Sequence, residues 1–217
     1  MIYTIFSFFG TVTGFPFRWL FFKDKIYLEN DRASRKFKGG ALVISNHFNP
    51  LDYVMNAFVV FPRKLYVVAS EDAFRSPFRR FGMKFWGGIQ ANRVSKSMGF
   101  VIQSIKEIRK GHLVQIFPEG HNTPDGKIHP FYPSYILIAL KANCPIIPVI
   151  TDGNYGFFKR VHLMIGEPID LNQYLTGEKP SKQEIAQLND IVYNKVLQLR
   201  QELDRRIEAD RKRGKKQ

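Results

Sequence analysis

Cysteine is nearly absent from this 217-residue chain: Cys144 is the only one. A single thiol cannot form an internal disulfide, so the sequence is not a disulfide-stabilised scaffold and suits a reducing compartment. No Cys/His array has the spacing of a structural zinc site, so we expect no bound metal. Because Cys144 precedes an apolar run, we predict a small buried side chain rather than a nucleophile that exchanges thioesters.

Acidic residues are also scarce, since 19 Asp and Glu stand against 33 Lys and Arg, giving a formal charge of +14. A charge of this size favours an anionic partner, either a nucleic-acid backbone or a membrane surface. The basic residues are spread along the chain, with a concentration at 211–216, and no nucleic-acid-binding motif is present. We therefore predict membrane lipids as a partner and no nucleic acid.

Residues 1–22 are apolar and rich in Phe, but they lack the basic start and cleavage site of a signal peptide. The segment is barely long enough to cross a bilayer, and Gly10, Gly14, Pro16 and Arg18 interrupt it. We expect it to lie on or dip into one leaflet, with a single span as the alternative. The expected location is the cytoplasmic face of a membrane.

Short apolar runs alternate with segments of helical periodicity, a pattern typical of an α/β domain with a mostly parallel or mixed sheet flanked by helices. No linker or internal repeat divides the chain, so we expect one domain at 23–180. A C-terminal amphipathic helix at 181–217 should pack on this domain and end in a basic tail. We expect a monomer or weak oligomer. The predicted strands are 26–28, 41–45, 65–69, 89–91, 113–117, 145–150 and 162–165, and the predicted helices are 51–60, 95–110, 135–142 and one starting at a capping box at 181.

His47 and Asp52 are the first candidates for chemistry. Residues 49–50, Asn-Pro, resemble an N-cap followed by proline at the first helical position. His47 would then lie in a loop and Asp52 in the first helical turn, so the carboxylate can reach the imidazole. A carboxylate on one ring nitrogen makes the other a stronger general base. The alternative is a histidine at a strand end and an aspartate that favours a helix N-terminus.

Two further strand ends add polar residues. Glu119 and Gly120 follow the predicted strand 113–117, and Arg93 ends the strand 87–93. Ligands bind at the carboxyl ends of strands in parallel sheets, so we expect Asn46, His47 and Glu119 to converge on one edge. A guanidinium at Arg93 suits a phosphate. His112, His129 and His162 have no evident partner in the sequence, and we expect structural roles for them.

These residues resemble the 1-acylglycerol-3-phosphate acyltransferase family of glycerolipid synthesis. Four collinear blocks match within residues 40–170: Asn46-His47 with Asp52 (the His-x4-Asp signature), Gly87-Gly88-Ile89 with Arg93, Phe117-Pro118-Glu119-Gly120, and the strand at 145–149. The resemblance implies that His47 takes the proton from an acceptor hydroxyl, which attacks an acyl thioester directly. It implies that Arg93, Glu119 and Gly120, with Asn46, bind the acceptor. Acyl-CoA or acyl carrier protein would be the co-substrate, with no other cofactor and no metal.

The third block departs from the family pattern. His121 and Asn122 stand where Thr or Ser and then Arg are usual, and residues 131–134 replace a common Lys-Gly pair. A cationic contact to the acceptor phosphate is missing, although a protonated His121 would replace it. Two alternatives therefore stay open: an acyltransferase for a different lipid acceptor, and a non-catalytic membrane-binding relative.

Overall fold

The computed structural model describes residues 14, 18, 23–92, 98–157, 159–175, 177 and 180–214. Its centre is a seven-stranded sheet, and each strand coincides with a predicted apolar run to within one or two residues. The strands are β1 (Lys25–Leu28), β2 (Ala41–Ile44), β3 (Leu65–Ser70), β4 (Gly88–Ala91), β5 (Leu113–Ile116), β6 (Ile146–Thr151) and β7 (His162–Ile165).

Five α-helices connect or follow these strands. They are α1 (Asp52–Val60), α2 (Pro77–Trp86), α3 (Gly99–Arg109), α4 (Ser134–Ala142) and α5 (Lys182–Gly214), with 3-10 turns at Glu71–Phe74 and Leu171–Tyr174. Helix α2 was not among the predicted helices. Phe78, Phe81 and Phe85 do follow at helical spacing, but the helix has only ten residues and contains Gly82, which weakens the helical signal. None of its ten residues is buried.

The strand order is β1-β7-β6-β2-β5-β3-β4, and the sheet is mixed. The five strands from β6 to β4 are parallel, whereas β7 is antiparallel to β6 and pairs in parallel with β1. The carboxyl ends of the parallel strands therefore share one edge. The prediction of an α/β domain with a mostly parallel or mixed sheet is confirmed.

Helices cover both faces of the sheet. On one face, α3, α4 and α5 pack on the sheet around fully buried side chains such as Leu42, Tyr135 and Val192. On the other face, α1 packs through Met55 and Val59.

Helix α5 begins with the predicted capping box. The backbone N–H of Ser181 donates to the Glu184 carboxylate at 2.8 Å, and the backbone N–H of Glu184 donates to the Ser181 hydroxyl at 3.1 Å. Its periodic apolar residues from Leu188 to Ile207 are buried in the main core. The helix thus packs on the same sheet as the rest of the chain.

The predicted membrane-associating segment at 1–22 lies outside the described residues, apart from Gly14 and Arg18. The Arg18 guanidinium lies over the Phe58 ring of α1, 5.5 Å from its centroid, and forms an ion pair with Asp24. Among the described residues, no helix combines the length and apolar character needed to cross a bilayer.

Candidate active site

The site lies where β2 and β5, two central neighbours in the sheet, reach their carboxyl ends. Ile44 pairs with Ile116 in the last register position of these strands. The chain then continues through Asn46 and His47 on one side and through Phe117 to Glu119 on the other. The expected convergence of these two segments is confirmed, because the backbone N–H of His47 donates to Oε1 of Glu119 at 2.9 Å.

His47 and Asp52 face each other across the start of α1. Nδ1 of His47 lies 3.4 Å from Oδ2 of Asp52, which is a long contact for a hydrogen bond. Catalytic hydrogen bonds are often long without substrate and shorten when it binds. The helix starts at Asp52, with Leu51 as its N-cap residue, so the predicted N-cap at Asn49 with Pro50 at the first helical position is wrong. His47 is nevertheless in the preceding loop and Asp52 in the first turn, as expected, so the two side chains can face each other.

The carboxylate of Asp52 is completely buried, while the imidazole of His47 is 21% exposed. A buried carboxylate needs donors to compensate for the loss of water. The backbone N–H of Asn49 donates to Oδ2 at 2.8 Å, and the hydroxyl of Tyr155 donates to Oδ1 at 2.5 Å. Both oxygens of Asp52 are thus fixed, and the one that faces His47 cannot rotate away without losing these partners.

Tyr155 is a site residue that sequence reasoning missed. It lies in the connection between β6 and β7, and no motif or spacing links it to Asp52, 103 positions earlier. Burial raises the pKa of Tyr155 well above its usual range, and the negative charge and hydrogen bond of Asp52 raise it further. The phenol therefore stays protonated and remains a donor to the carboxylate.

Glu119 holds the loop of His47 in place. It is fully buried, and besides the His47 backbone its carboxylate accepts hydrogen bonds from the backbone N–H of His129 at 2.8 Å and the hydroxyl of Thr123 at 3.1 Å. The backbone N–H of Thr123 in turn donates to the carbonyl of His47 at 2.7 Å. Both backbone groups of His47 are thereby anchored to the 119–129 segment.

The ring of His47 is also held by an aromatic contact. It stacks on Phe117 with ring centroids 4.0 Å apart and an angle of 18° between the planes. Phe117 belongs to the same post-β5 segment as Glu119. The segment therefore fixes the plane of the imidazole as well as its backbone, which limits His47 to a narrow set of ring orientations.

The remaining predicted binding residues differ in their exposure. Asn46 is fully buried, and its side-chain amide pairs with the backbone N–H and carbonyl of Thr151 at 2.9 and 3.0 Å, which joins the ends of β2 and β6. Gly120 and His121 are exposed. Gly120 adopts a positive φ of 73°, and Nδ1 of His121 donates to the backbone carbonyl of Glu119 at 2.8 Å.

Arg93 lies outside the described residues. Its strand, β4, ends at Ala91 on the same sheet edge, three positions from β2. With adjacent strands about 4.8 Å apart, the end of β4 is roughly 14 Å from the end of β2. Contact of Arg93 with an acceptor bound at His47 remains a prediction.

Three of the other histidines have carboxylate partners that the sequence did not reveal. The pairs are His112 with Glu107 at 2.9 Å, His129 with Asp125 at 2.9 Å, and His162 with Asp152 at 2.7 Å. A histidine–carboxylate contact is therefore not distinctive in this chain. His47 differs from the three because it follows a central parallel strand and its partner is completely buried.

Comparison with known proteins adds a family match. A family model described as "Acyltransferase" matches residues 25–152, more than half of the chain. This range includes His47, Asp52 and Glu119 but excludes His162.

Two relatives carry the name 1-acyl-sn-glycerol-3-phosphate acyltransferase. The protein from Cocos nucifera is 26% identical over 192 residues, which cover 85% of this chain and 59% of that protein. The protein from Bacillus subtilis is 23% identical over 170 residues, covering 76% of this chain and 83% of that protein. The chain therefore spans less than two thirds of the coconut relative.

The fold resembles that of the 1-acyl-sn-glycerophosphate (LPA) acyltransferase PlsC from Thermotoga maritima, as seen in its crystal structure. The TM-score is 0.62 with 20% sequence identity, and the match covers 91% of this chain and 79% of that chain. This likeness supports the same fold for both chains.

Proposed function

Because the chain belongs to the acyltransferase family, we propose that it transfers a fatty acyl group from an acyl thioester to the hydroxyl of a lysophospholipid-type acceptor, such as 1-acylglycerol 3-phosphate. The observation that carries the proposal is the His47–Asp52 pair at the carboxyl end of β2. Its imidazole is partly exposed, and its carboxylate is fully buried.

His47 acts as the general base in this proposal. With Nδ1 directed at Asp52, Nε2 is the nitrogen that takes the proton from the acceptor hydroxyl. The acceptor oxygen attacks the thioester carbonyl, the C–S bond breaks, and the thiolate leaves with the proton returned by His47. Asp52 orients the ring and stabilises the imidazolium while the proton is held there. No covalent acyl-enzyme forms.

Glu119 and Asn46 position the site rather than contact the acceptor in this proposal. Both are fully buried, and their described hydrogen bonds go to protein atoms. Gly120 and His121 are exposed near the loop that carries His47, and these two residues are proposed to contact the acceptor head group. A protonated His121 would supply a positive charge next to Asn122, the position at which the family pattern has an arginine.

The donor is proposed to be acyl-CoA or acyl carrier protein, and the acceptor a lipid at the cytoplasmic face of a membrane. The net charge of +14 supports attraction to anionic lipid. Because His121 and Asn122 differ from the family pattern, a lipid acceptor other than 1-acylglycerol 3-phosphate is the alternative.

The deciding experiment compares His47→Ala with His112→Ala, each assayed by lipid mass spectrometry with mixed acyl thioesters and a panel of lysolipids. His112 is a suitable control because it precedes β5, at the opposite edge of the sheet, and also pairs with a carboxylate. We expect His47→Ala to lose at least about a thousandfold of the turnover. His112→Ala should retain it.

Substantial turnover in folded His47→Ala would refute the role of His47. A wild-type protein that is silent with every donor and acceptor would instead favour the non-catalytic relative. Product formed only with a different lysolipid would correct the acceptor and leave the chemistry in place.

A further inference from the structure

Helix α2 presents its apolar face to the outside of the molecule. Phe78, Phe81 and Phe85 follow at three- and four-residue steps, so they lie on one side of the helix. Phe78 is 86% exposed and Phe81 is 65% exposed. An amphipathic helix of a globular protein normally directs this stripe at the core. Exposed aromatic rings grouped in this way are typical of a surface that meets a membrane or a partner.

The charged residues of α2 itself are all basic. Arg75, Arg79, Arg80 and Lys84 lie on or next to α2, and the sequence contains no acidic residue between Asp72 and Glu107. Basic side chains flanking exposed aromatic rings are the composition of a helix that lies in the interface of an anionic bilayer. An apolar protein partner would not require this excess of positive charge.

The aromatic surface continues from α2 to α1. The Phe81 and Phe85 rings have centroids 6.3 Å apart, and those of Phe85 and Trp86 are 6.1 Å apart. Trp86 then lines a cavity of about 250 Å³ whose other lining residues all belong to α1: Tyr53, Val54, Ala57 and Phe58.

Two further observations extend this surface. Phe58 is the α1 residue against which Gly14 and Arg18 lie, so these two residues are on the same side of the molecule. At its other end, α1 begins with Asp52 of the proposed catalytic pair. The apolar surface thus runs from the outermost ring, Phe78, to the helix that carries Asp52.

We propose that α2 is an interfacial membrane-docking helix, with Phe78 and Phe81 entering the headgroup region of an anionic bilayer. Docking through α2 would turn α1 and its cavity towards the lipid. This part of the inference rests on the proposed function, because it explains how a lipid acceptor reaches His47. The docking itself is a property of the surface and can be measured without turnover.

The first test places an environment-sensitive fluorophore on Phe78→Cys and, as a matched control, on Ile102→Cys. Ile102 is 66% exposed and belongs to α3, which packs on the opposite face of the sheet from α1. Native Cys144 should not react, because it is buried and burial raises its pKa to about 11. Each labelled full-length protein is mixed with vesicles of phosphatidylcholine and phosphatidylglycerol.

We expect the label at position 78 to shift to shorter wavelength and to be quenched by lipids that carry a nitroxide on the acyl chain. The label at position 102 should remain in water. A label at position 78 that stays in water while the protein sediments with the vesicles would overturn the proposal. A shift that needs no vesicles and grows with protein concentration would also overturn it, by identifying a second copy of the chain as the occupant.

The second test compares the double variant Phe78→Ser, Phe81→Ser with Ile102→Ser. We expect the double variant to bind the anionic vesicles at least about tenfold more weakly, because two apolar rings are removed from the interface. Its turnover with water-soluble short-chain substrates should match that of the unmodified protein. Unchanged vesicle binding of the double variant would refute the docking role. Absence of turnover in the unmodified protein would refute only the proposed chemistry.

Discussion

The hydroxyl of Tyr155 donates a hydrogen bond to Oδ1 of Asp52 over 2.5 Å, while Oδ2 of the same carboxylate faces the imidazole of His47. The carboxylate therefore lies between a phenol that stays protonated and the imidazole of the proposed base. A donor on Oδ1 withdraws negative charge from the oxygen that faces His47. Tyr155 thus positions Asp52 and moderates its effect on the proposed base.

Tyr155→Phe should lower kcat about tenfold, because a hydrogen bond to a charged group is lost, and leave the KM values for both substrates unchanged. With the donor removed, Asp52 presents its full charge to the imidazole and favours its protonated form. The acidic limb of the kcat/KM profile should therefore move to higher pH. A pH-rate series from mildly acidic to mildly basic buffer measures both effects.

Tyr27→Phe is the matched control for that variant. The Tyr27 hydroxyl also donates to a carboxylate, that of Asp210, but at the far edge of the sheet between β1 and α5. It should change neither the pH profile nor kcat. If Tyr155→Phe lowered kcat but left the acidic limb of the kcat/KM profile in place, Tyr155 would have only a structural role.

Glu119→Gln should impair the fold and turnover together. The amide replaces one acceptor oxygen with an NH2 group, which then faces the backbone N–H donor of either His47 or His129. Leaving that buried donor unpaired should lower the free energy of unfolding by about 2 kcal/mol. Urea denaturation and steady-state kinetics on the same preparation check this.

Thr123→Val provides a milder companion to Glu119→Gln, since it removes one hydroxyl but keeps the backbone N–H that donates to His47. Its effects should be smaller on both measurements. If Glu119→Gln lost turnover at unchanged stability, Glu119 would have to contact the acceptor, as the family resemblance implies.

Gly153→Ala should destabilise the protein. Gly153 has a positive φ of 68°, and an added Cβ would lie 2.9 Å from the Cβ of Phe48. The strained backbone and the clash should together lower the free energy of unfolding by about 2 kcal/mol.

Gly82→Ala in α2 is the control. An added Cβ at this position meets nothing within 4 Å, and alanine in place of glycine in a helix should raise the free energy of unfolding by roughly 0.5–1 kcal/mol. Thermal or urea denaturation of both variants should give shifts of opposite sign.

Cys144 should be inert in the native protein. Burial raises its pKa to about 11, so the reactive thiolate is rare at neutral pH and its amount grows about tenfold per pH unit until that pKa. Mass spectrometry after treatment with iodoacetamide at pH 8 should find one modified thiol in denaturant and almost none without it. Turnover should survive in Cys144→Ala. Rapid native alkylation with loss of activity would restore the thioester-exchange hypothesis for this residue.

The strands were predictable because each is a short apolar run bounded by turn residues, as 41–45 and 113–117 illustrate. The facing of His47 and Asp52 was predictable too, because it depends only on where α1 begins. The partners of His112, His129 and His162 were not foreseen, since hydrogen bonding between polar side chains leaves no periodic signal. Helix α2 escaped prediction because it is short and contains Gly82, so its three aromatic residues at helical spacing were too weak a signal.

The sequence by itself determined where the strands lie along the chain, the long C-terminal helix and the chemical identity of the His47–Asp52 pair. All three depend on local pattern. Only the tertiary structure decided that Tyr155 supports Asp52, that Glu119 anchors the backbone of His47, and that the aromatic face of α2 points outward. These relationships join residues far apart in the chain. They arise from how the sheet edge and its loops pack, because local periodicity specifies which face of an element is apolar but not what that face will meet.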